Sequence, residues 1–206
     1  MTSPLMEYLP PVAPQQPPSG AGKYHGAVAT GYDAKRESSP KWLIEQAIIE
    51  GWLNELPAGT KIIDIPAGTG RFFDCYQRNN HLVVAVDRSR DMLQQAAQKV
   101  RDAKRFQFGA GDITNMNQLP DKLFDVAVSV RVTRWVIGEY GPDGIARMLK
   151  ELQRVTLAKI ILTARVANHP FAVTLDLIDS ALDGWKISRN EVGVDMDYRI
   201  LMIEPA

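Results

Sequence analysis

The chain has 206 residues, of which 24 are Lys or Arg and 24 are Asp or Glu, so its formal net charge is zero. A hydrophobic fraction of 45% in a chain of this length predicts a folded domain with a sizeable core and argues against general disorder. The balanced charge gives no overall attraction to nucleic acid or to an anionic membrane, and the single cysteine excludes an intramolecular disulfide or a multi-cysteine zinc site. We expect a cytoplasmic protein, because no apolar run approaches the roughly 20 residues that span a bilayer and the first residues do not resemble a signal peptide.

The first 22 residues differ in composition from the rest of the chain. Six of the 13 prolines lie there beside glutamines, serine and glycines, a composition that sustains neither a helix nor a central strand. We expect residues 1–22 to form a flexible, proline-rich arm. Residues 23–206 are then expected to form a single domain, with N-terminal lid or cap helices within 23–56.

Strand and helix signals alternate from residue 40 onwards. The predicted helices are 40–54, 71–78, a helix capped by Ser89, 145–155 and 171–182, and the predicted strands are 61–65, 82–86, 106–108, 124–130, 159–163, 185–188 and 198–203. Repeated βα units predict a parallel sheet with helices on both faces, and the last two strands lack room for a crossover helix. The predicted fold class is therefore α/β, a doubly wound, mostly parallel seven-stranded sheet with an antiparallel last strand.

The strongest local signal is segment 62–72, IIDIPAGTGRF. A strand ends at Asp64, makes a tight turn and enters a helix. Gly68 and Gly70 allow the backbone to approach a ligand closely, because no Cβ intervenes and positive φ is free. The turn lies at the carboxyl end of its strand, where open α/β sheets bind ligands. A glycine-rich connection that binds nothing is the alternative interpretation.

Three successive strands are each followed by an acid. Asp87 lies 23 residues beyond Asp64, and Asp112 lies 25 residues beyond Asp87. An acid about 20 residues after such a turn is placed to accept hydrogen bonds from ribose hydroxyls. One such acid is as readily a loop residue or a helix cap, but three in register favour a common ligand.

The same segment discriminates between nucleotides. A dinucleotide site prefers a third glycine where this chain has Phe73, and Asp64 would repel a pyrophosphate but suit a ligand ammonium. The absence of a GxxxxGK[ST] motif excludes a P-loop. Arg88 is compatible with the 2′-phosphate of NADP, although the missing glycine and Asp112 disfavour that alternative.

Taken together, 64–70, Asp87, Asp112 and strand 124–130 make the chain resemble the class I S-adenosylmethionine-dependent methyltransferases over about residues 40–206. The resemblance implies a Rossmann-like sheet, S-adenosyl-L-methionine as cofactor and S-adenosyl-L-homocysteine as product. It also implies that Asp64 and the glycine turn face the methionine part of the cofactor, that Asp87 holds the ribose and that Asp112 binds the adenine amino group.

Other residues are expected at the cofactor by the same resemblance. They are Pro66, Ala67, Gly68, Gly70, Arg88, Met92, Ile113 and Val130, with Met92 and Ile113 packing near the adenine ring. The family usually has glycine at the position of Pro66. Since proline lacks an N–H and fixes φ near −65°, the turn must tolerate that change.

Several methyltransferase subclasses do not fit the sequence. Cysteine-dependent cytosine methylation is disfavoured, because Cys75 lies in the helix after the glycine turn. Segment 129–135 lacks the Asp/Asn-Pro-Pro-aromatic motif of amino-methylating base enzymes. The three histidines have no metal-ligand spacing and no acidic cluster suits magnesium, so no metal is expected.

The candidate catalytic residues are Arg131, His169 and Tyr32. Arg131, with Arg134, follows the fourth strand and could fork onto a substrate carboxylate or phosphate, or form only a surface salt bridge. His169 is either a general base or an exposed loop histidine. Tyr32 and Arg36 resemble the lid of small family members, and a plain capping helix is the alternative.

The predicted function is methyl transfer to an unidentified, small-molecule acceptor. Only residues 1–55 and short loops remain to shape an acceptor pocket, and a protein partner or homodimer is a further candidate contributor. The basic runs are modest and typical of solvated helix faces, which disfavours nucleic acid. Two alternatives stay open: a cofactor-binding module or partner subunit without transferase activity, and another adenosyl-sulfonium enzyme such as an aminopropyl transferase or a lyase.

Overall fold

The computed structural model describes residues 24–167, 169–192 and 197–206. The arm predicted for residues 1–22 lies outside the described residues. The helices are α1 (Ala27–Thr30), α2 (Pro40–Asn54), α3 (Phe73–Arg78), α4 (Arg90–Ala97), α5 (Thr133–Val155) and α6 (Leu175–Ser180), with a short 3₁₀ turn at Ala103–Arg105. The strands are β1 (Lys61–Asp64), β2 (Leu82–Asp87), β3 (Phe106–Ala110), β4 (Phe124–Ser129), β5 (Thr156–Arg165), β6 (Trp185–Val192) and β7 (Tyr198–Pro205).

The strands form one seven-stranded sheet in the order β3-β2-β1-β4-β5-β7-β6. β1 pairs in parallel with β2 and β4, whereas β7 is antiparallel to both of its neighbours, β5 and β6. The predicted mostly parallel, doubly wound α/β sheet with a reversed last strand is confirmed. The chain winds outward from β1 to β3 and then returns to β4, so the order reverses between β1 and β4, where ligands of such sheets bind.

Alternating side chains of the central strands fill two separate cores. Ile63, Val84 and Ala127 face the core beneath α5 and α6, whereas Ile62, Val83 and Val126 face the core beneath α2, α3 and α4. Fully burying a valine or an isoleucine contributes about 1.5–3 kcal/mol relative to leaving it exposed. Both faces of the sheet are therefore covered by helices. The carboxyl ends of the parallel strands share one edge.

Two predicted helices differ from the observed ones. α5 begins at Thr133, before the predicted 145–155, and is interrupted at Gly141, where φ is 67° and Pro142 follows. The predicted helix 171–182 is wrong at its start, because the Thr174 side chain caps the observed α6 by accepting the N–H of Leu177. The early turn of α5 lies over the carboxyl edge of the sheet.

Candidate functional site

A cavity of about 400 Å³ opens at the carboxyl edge of the sheet. One part, here called the acidic end, is formed after β1, β2 and β3 and by the α5 residues that contact them; it comprises Ile65, Pro66, Gly68, Asp87, Arg88, Ser89, Met92, Gly111, Asp112, Ile113, Glu139 and Tyr140. The other part, the basic end, comprises Tyr24, Tyr32, Arg36, Lys41, Arg131, Arg134, Trp135, Arg165, Asp197 and Tyr198. Val130, Val132 and Val136 line the middle.

Asp87 is the best-buried acid that lines the cavity. Its two carboxylate oxygens accept the backbone N–H groups of Gly68 and Ser89, both at 2.8 Å. Burial raises its pKa, against the lowering effect of these N–H groups. A carboxylate has about four lone-pair sites, so each oxygen keeps capacity for a ligand hydroxyl.

Asp112 is held in place from several sides. Thr114 donates its N–H and its hydroxyl to one oxygen, at 2.8 and 2.7 Å, and the Tyr140 hydroxyl donates to the other at 3.0 Å. Burial would raise the pKa of Asp112, but these hydrogen bonds and the nearby Arg88 hold it below its usual value. Arg88 itself forks onto Glu139, at 2.8 and 3.0 Å.

The glycine turn forms in spite of Pro66, and the peptide before that proline is cis. The Ala67 N–H donates to Val86 and the Gly68 N–H to Asp87, so the turn is tied to the end of β2. Gly68 has a φ of 57° and lines the cavity. Gly70, with a φ of 75°, instead makes room for Phe73, whose ring would lie 2.8 Å from an added Cβ. Ala67 and Gly70 are not among the lining residues.

Asp64 also lies outside the cavity lining, although the sequence placed it toward a ligand ammonium. Its side chain is only 2% exposed and accepts the Tyr76 hydroxyl at 3.2 Å. Burial raises the pKa of this carboxyl to about 8, with a further contribution from the charge of Asp87. The group is therefore mostly protonated at neutral pH, set back behind the turn.

Arg131 follows β4 with a φ of 60°, a conformation that is uncommon for a residue other than glycine. The Thr163 hydroxyl accepts its N–H at 2.7 Å, and the Glu45 carboxylate accepts its Nε–H at 2.8 Å. A left-handed backbone conformation costs a non-glycine residue about 1–3 kcal/mol, and such residues occur more often at functional sites. The contacts with Thr163 and Glu45 hold Arg131 in this conformation, and its side chain lines the cavity next to Val130.

Glu45 bridges two arginines behind the basic end. It is 3% exposed and accepts from Arg71 at 2.5 Å as well as from Arg131. The Arg71 guanidinium lies 3.6 Å from the centre of the Trp42 ring and donates to the Trp42 carbonyl. Helix α2 is thereby coupled to the end of β4.

Tyr32 and Arg36, which the sequence analysis expected in a lid or a capping helix, contact each other and line the cavity. The Arg36 guanidinium lies 3.7 Å from the centre of the Tyr32 ring. Burial raises the pKa of the Tyr32 hydroxyl in spite of the nearby arginines Arg36 and Arg131. Tyr32 is thus a neutral hydroxyl and ring at physiological pH rather than a ready base.

The segment that carries Tyr32 is anchored to the acidic end of the cavity. Asp33 accepts the Thr69 hydroxyl at 2.5 Å and the Lys99 ammonium at 2.6 Å. The Tyr24 carbonyl accepts the Ser89 hydroxyl at 2.6 Å, and the Tyr24 ring packs edge-on against Trp135. Residues 24–36 therefore cross over the glycine turn and the start of α4.

Several lining residues were missed by the sequence reasoning. Trp135, Val136, Glu139 and Tyr140 occupy one face of the early α5 turn, and their spacing was the available signal. Arg165 ends β5, and its register partner Tyr198 begins the antiparallel β7. Because β7 runs backwards, its first residues lie at the same edge as the ends of the parallel strands.

The structure does not bring His169 into the cavity lining. Its Nδ1 accepts the N–H of Phe171 at 3.0 Å, and its ring packs against Phe171 with centroids 5.5 Å apart. Burial and the nearby arginines Arg165 and Arg134 lower its pKa. The described residues contain no group of three or more His, Cys, Asp or Glu side chains arranged to hold a metal ion. Every helix in the same residues is too short or too polar to cross a membrane.

Comparison with known proteins gives a consistent answer. Residues 63–159 match the family described as a methyltransferase domain. Magnesium protoporphyrin IX methyltransferase from Synechocystis, solved with bound S-adenosylmethionine, superposes with a TM-score of 0.67 at 18% identity, over 94% of this chain and 99% of that one. A TehB-like S-adenosylmethionine-dependent methyltransferase from Corynebacterium glutamicum gives 0.62 at 18% identity, over 87% and 99%.

A third similar structure comes from the complex between the Haloferax volcanii Trm112 methyltransferase activator and a methyltransferase described as putative. It gives a TM-score of 0.65 at 12% identity, over 88% of this chain and 98% of that one. A comparison with curated protein sequences found no match. The resemblance inferred from the glycine turn and the three acids is confirmed: the chain has the class I S-adenosylmethionine-dependent methyltransferase fold, and residues 63–159 match the methyltransferase-domain family.

Proposed function

We propose that this protein transfers a methyl group from S-adenosylmethionine to a small-molecule acceptor. The observation that carries the proposal is the charge division of one cavity. Among the described residues, Asp87, Asp112 and Glu139 line one end with a single arginine, and five cationic side chains line the other end with Asp197. This division supports assigning the acidic end to the cofactor and the basic end to the acceptor.

The residues of the acidic end fit an adenosine. Gly68 leaves open the space that a Cβ would take, 3.6 Å from the Met92 methyl group. Asp87 would accept the ribose hydroxyls, and Asp112 would accept the adenine amino group once Tyr140 shares or releases its oxygen. Ile65, Met92 and Ile113 supply apolar surface for the base, and Pro66 and Arg88 border it.

When bound, S-adenosylmethionine supplies a sulfonium methyl group that an acceptor electron pair takes by in-line displacement, leaving S-adenosylhomocysteine. The contribution of the chain is mainly to fix distance and direction, which is the principal requirement of such a step. Val130 and Arg131 lie where the two ends of the cavity meet and would align the acceptor. Tyr32 and Tyr24 cover the cavity and would exclude water from it.

Calorimetric titration of the full-length chain with S-adenosylhomocysteine tests the cofactor end. We expect micromolar binding to the wild type and about 100-fold weaker binding to Asp87→Asn, because several hydrogen bonds to a buried charged acceptor are lost or weakened. The matched control is Asp74→Asn, which changes an exposed acid of α3 that pairs with Arg101. Thermal melting of both variants shows whether the fold is kept.

Two results would contradict the proposal. One is no measurable binding of either S-adenosylmethionine or S-adenosylhomocysteine to the folded wild type. The other is an Asp87→Asn variant that binds as tightly as Asp74→Asn.

Product analysis separates the remaining alternatives. An aminopropyl transferase or a lyase would yield methylthioadenosine instead of S-adenosylhomocysteine. A binding module or partner subunit would bind the cofactor and yield neither. The aromatic and cationic lining of the basic end favours an enzyme with its own acceptor, because a module that only binds the cofactor would not need such a lining.

A further inference from the structure

Two arginines outside the basic end are each held by one carboxylate through two N–H groups. Arg88 and Arg189 each fork onto a carboxylate, Glu139 and Glu55 respectively, with both distances of each fork between 2.7 and 3.0 Å. Such forks use the N–H edge of the guanidinium, which is its strongest binding surface.

At the basic end three guanidinium groups lie over aromatic rings, and one of them, Arg131, also pairs with Glu45. Arg36 is 3.7 Å from the centre of Tyr32, Arg134 is 4.6 Å from the centre of Trp135, and Arg131 is 4.9 Å from the centre of Tyr198. A guanidinium has five N–H donors; Arg131 gives one to Glu45 and Arg36 gives one to the Tyr32 carbonyl, so further donors remain for an oxyanion.

The described carboxylates around these arginines do not balance their positive charge. Five arginines form the basic end and its support: Arg36, Arg71, Arg131, Arg134 and Arg165. The ion pairs place Glu45 against both Arg71 and Arg131, and Asp197 against Arg165. Among the residues that the structure describes, two carboxylates therefore pair with these five guanidinium groups, and the described part of this end carries an excess of positive charge.

Aromatic rings form the rest of this end. Tyr24, Tyr32, Trp135 and Tyr198 all line the cavity. Tyr24 packs edge-on against both Tyr32 and Trp135, with centroids 5.9 and 5.8 Å apart, so these rings form one continuous wall. Rings held in this way offer edges and faces to a planar ligand.

We propose that the acceptor is a small organic oxyanion carried on an aromatic or otherwise planar framework, with its anionic group at Arg131 and Arg134 and its framework against the tyrosine and tryptophan rings. The proposal rests on the methyltransferase function above and specifies its substrate class. Carboxylates and phosphates share the required chemistry, since both accept the N–H edge of a guanidinium.

Ligand-observed NMR on the full-length chain tests the proposal with four simple probes: benzoate, phenyl phosphate, neutral benzamide and cationic benzamidine. Each is titrated with and without saturating S-adenosylhomocysteine. We expect benzoate or phenyl phosphate to bind about 10-fold more tightly than benzamide, which corresponds to ~1.4 kcal/mol, and benzamidine to bind most weakly. The tighter of the two anions identifies the carboxylate or the phosphate as the preferred group.

Variants test where in the cavity the anionic probes bind. Arg134→Gln should remove most of the preference for the anion over benzamide, and Arg134→Lys should keep part of it, because lysine retains the charge without the planar fork. The matched control is Arg101→Gln, an exposed arginine of another surface that pairs with Asp74. It should leave all four affinities unchanged.

The inference is overturned if the anions bind no better than benzamide, or if Arg134→Gln and Arg101→Gln retain the same preference. Failure of S-adenosylhomocysteine to bind would instead count against the methyltransferase function, and the titrations without it would still report on anion binding. The two failures are therefore distinguishable.

Discussion

The two ends of the cavity are built in different ways. At the acidic end, Asp87 and Asp112 are fixed mainly by backbone N–H groups or hydroxyls from residues within a few positions or within the neighbouring turn, and the Tyr140 hydroxyl is a more distant contact of Asp112. At the basic end, Arg131 depends on Glu45, 86 residues away, and Arg165 lies beside Tyr198 of a different strand. The first end is a local feature repeated along the sheet, whereas the second is assembled by tertiary contacts from four parts of the chain.

This difference predicts that the basic end is the more fragile. Glu45→Ala would leave the buried Arg71 without its carboxylate, and breaking a buried pair in this way costs about 3–5 kcal/mol. Urea denaturation should show that loss in the free energy of unfolding. The control is Glu50→Ala on the same helix, whose partner Arg78 is 55% exposed and whose loss should cost less than about 1 kcal/mol. Equal losses in the two variants would contradict the tertiary origin of the basic end.

A pH series tests the buried acid behind the glycine turn. The pKa of Asp64 is raised in the fold from an ordinary 3.8 to about 8, so the folded state binds the extra proton between these values. The stability that this gives is complete below about pH 4 and is lost as the pH rises through 8. Asp64→Asn has no charge at this position and should therefore gain stability relative to the wild type by up to about 4 kcal/mol between pH 5 and pH 9. Thermal melts at both values measure the difference; a gain that is absent, or that appears at low pH, would refute a neutral Asp64.

The contributions of Asp112 and Tyr140 to ligand binding at the acidic end can be measured separately. Asp112→Ala should weaken S-adenosylhomocysteine binding about 10-fold, because an acceptor for the adenine amino group is lost. Tyr140→Phe removes only the competing hydroxyl and should change the affinity less than about 3-fold. Calorimetry on both variants compares them. The reverse order of effects would assign recognition to the tyrosine instead of the acid.

The smallest expected effect concerns salt. Raising NaCl from 0.05 to 0.5 M should weaken the binding of benzoate or phenyl phosphate at the basic end about 3-fold, because partly exposed arginines are screened. Binding of S-adenosylhomocysteine at the acidic end, which relies on buried hydrogen bonds, should change by less than about half as much. Equal salt dependence of both ligands would remove the electrostatic distinction between the ends.

The same contrast explains what could be predicted from the sequence. Strand spacing and the glycine turn identified the sheet, the cavity position, Asp87 and Asp112, because those features depend on residues close together in the chain. Asp64 was expected to face a ligand, but its direction depends on Tyr76 of the following helix, and spacing does not encode that contact.

The basic end was only partly predicted, for a physical reason. Arg131 and Arg134 follow a predicted strand, so their position at the edge was readable. Glu45, Arg165 and Tyr198 reach the same place only once α2 packs against the sheet and β7 pairs backwards with β5. Gly138, Gly141 and Pro142 lower helix propensity within 133–142, and this hid the early turn of α5 that carries Trp135 and Tyr140.

The most direct test of the division is a crystal structure of the full-length chain with S-adenosylhomocysteine. We expect the ribose within hydrogen-bond distance of Asp87, the adenine beside Asp112 and the sulfur directed toward Val130 and Arg131. A ligand bound in the reverse direction, with adenine among the arginines and aromatic rings, or bound outside the cavity, would contradict this expectation.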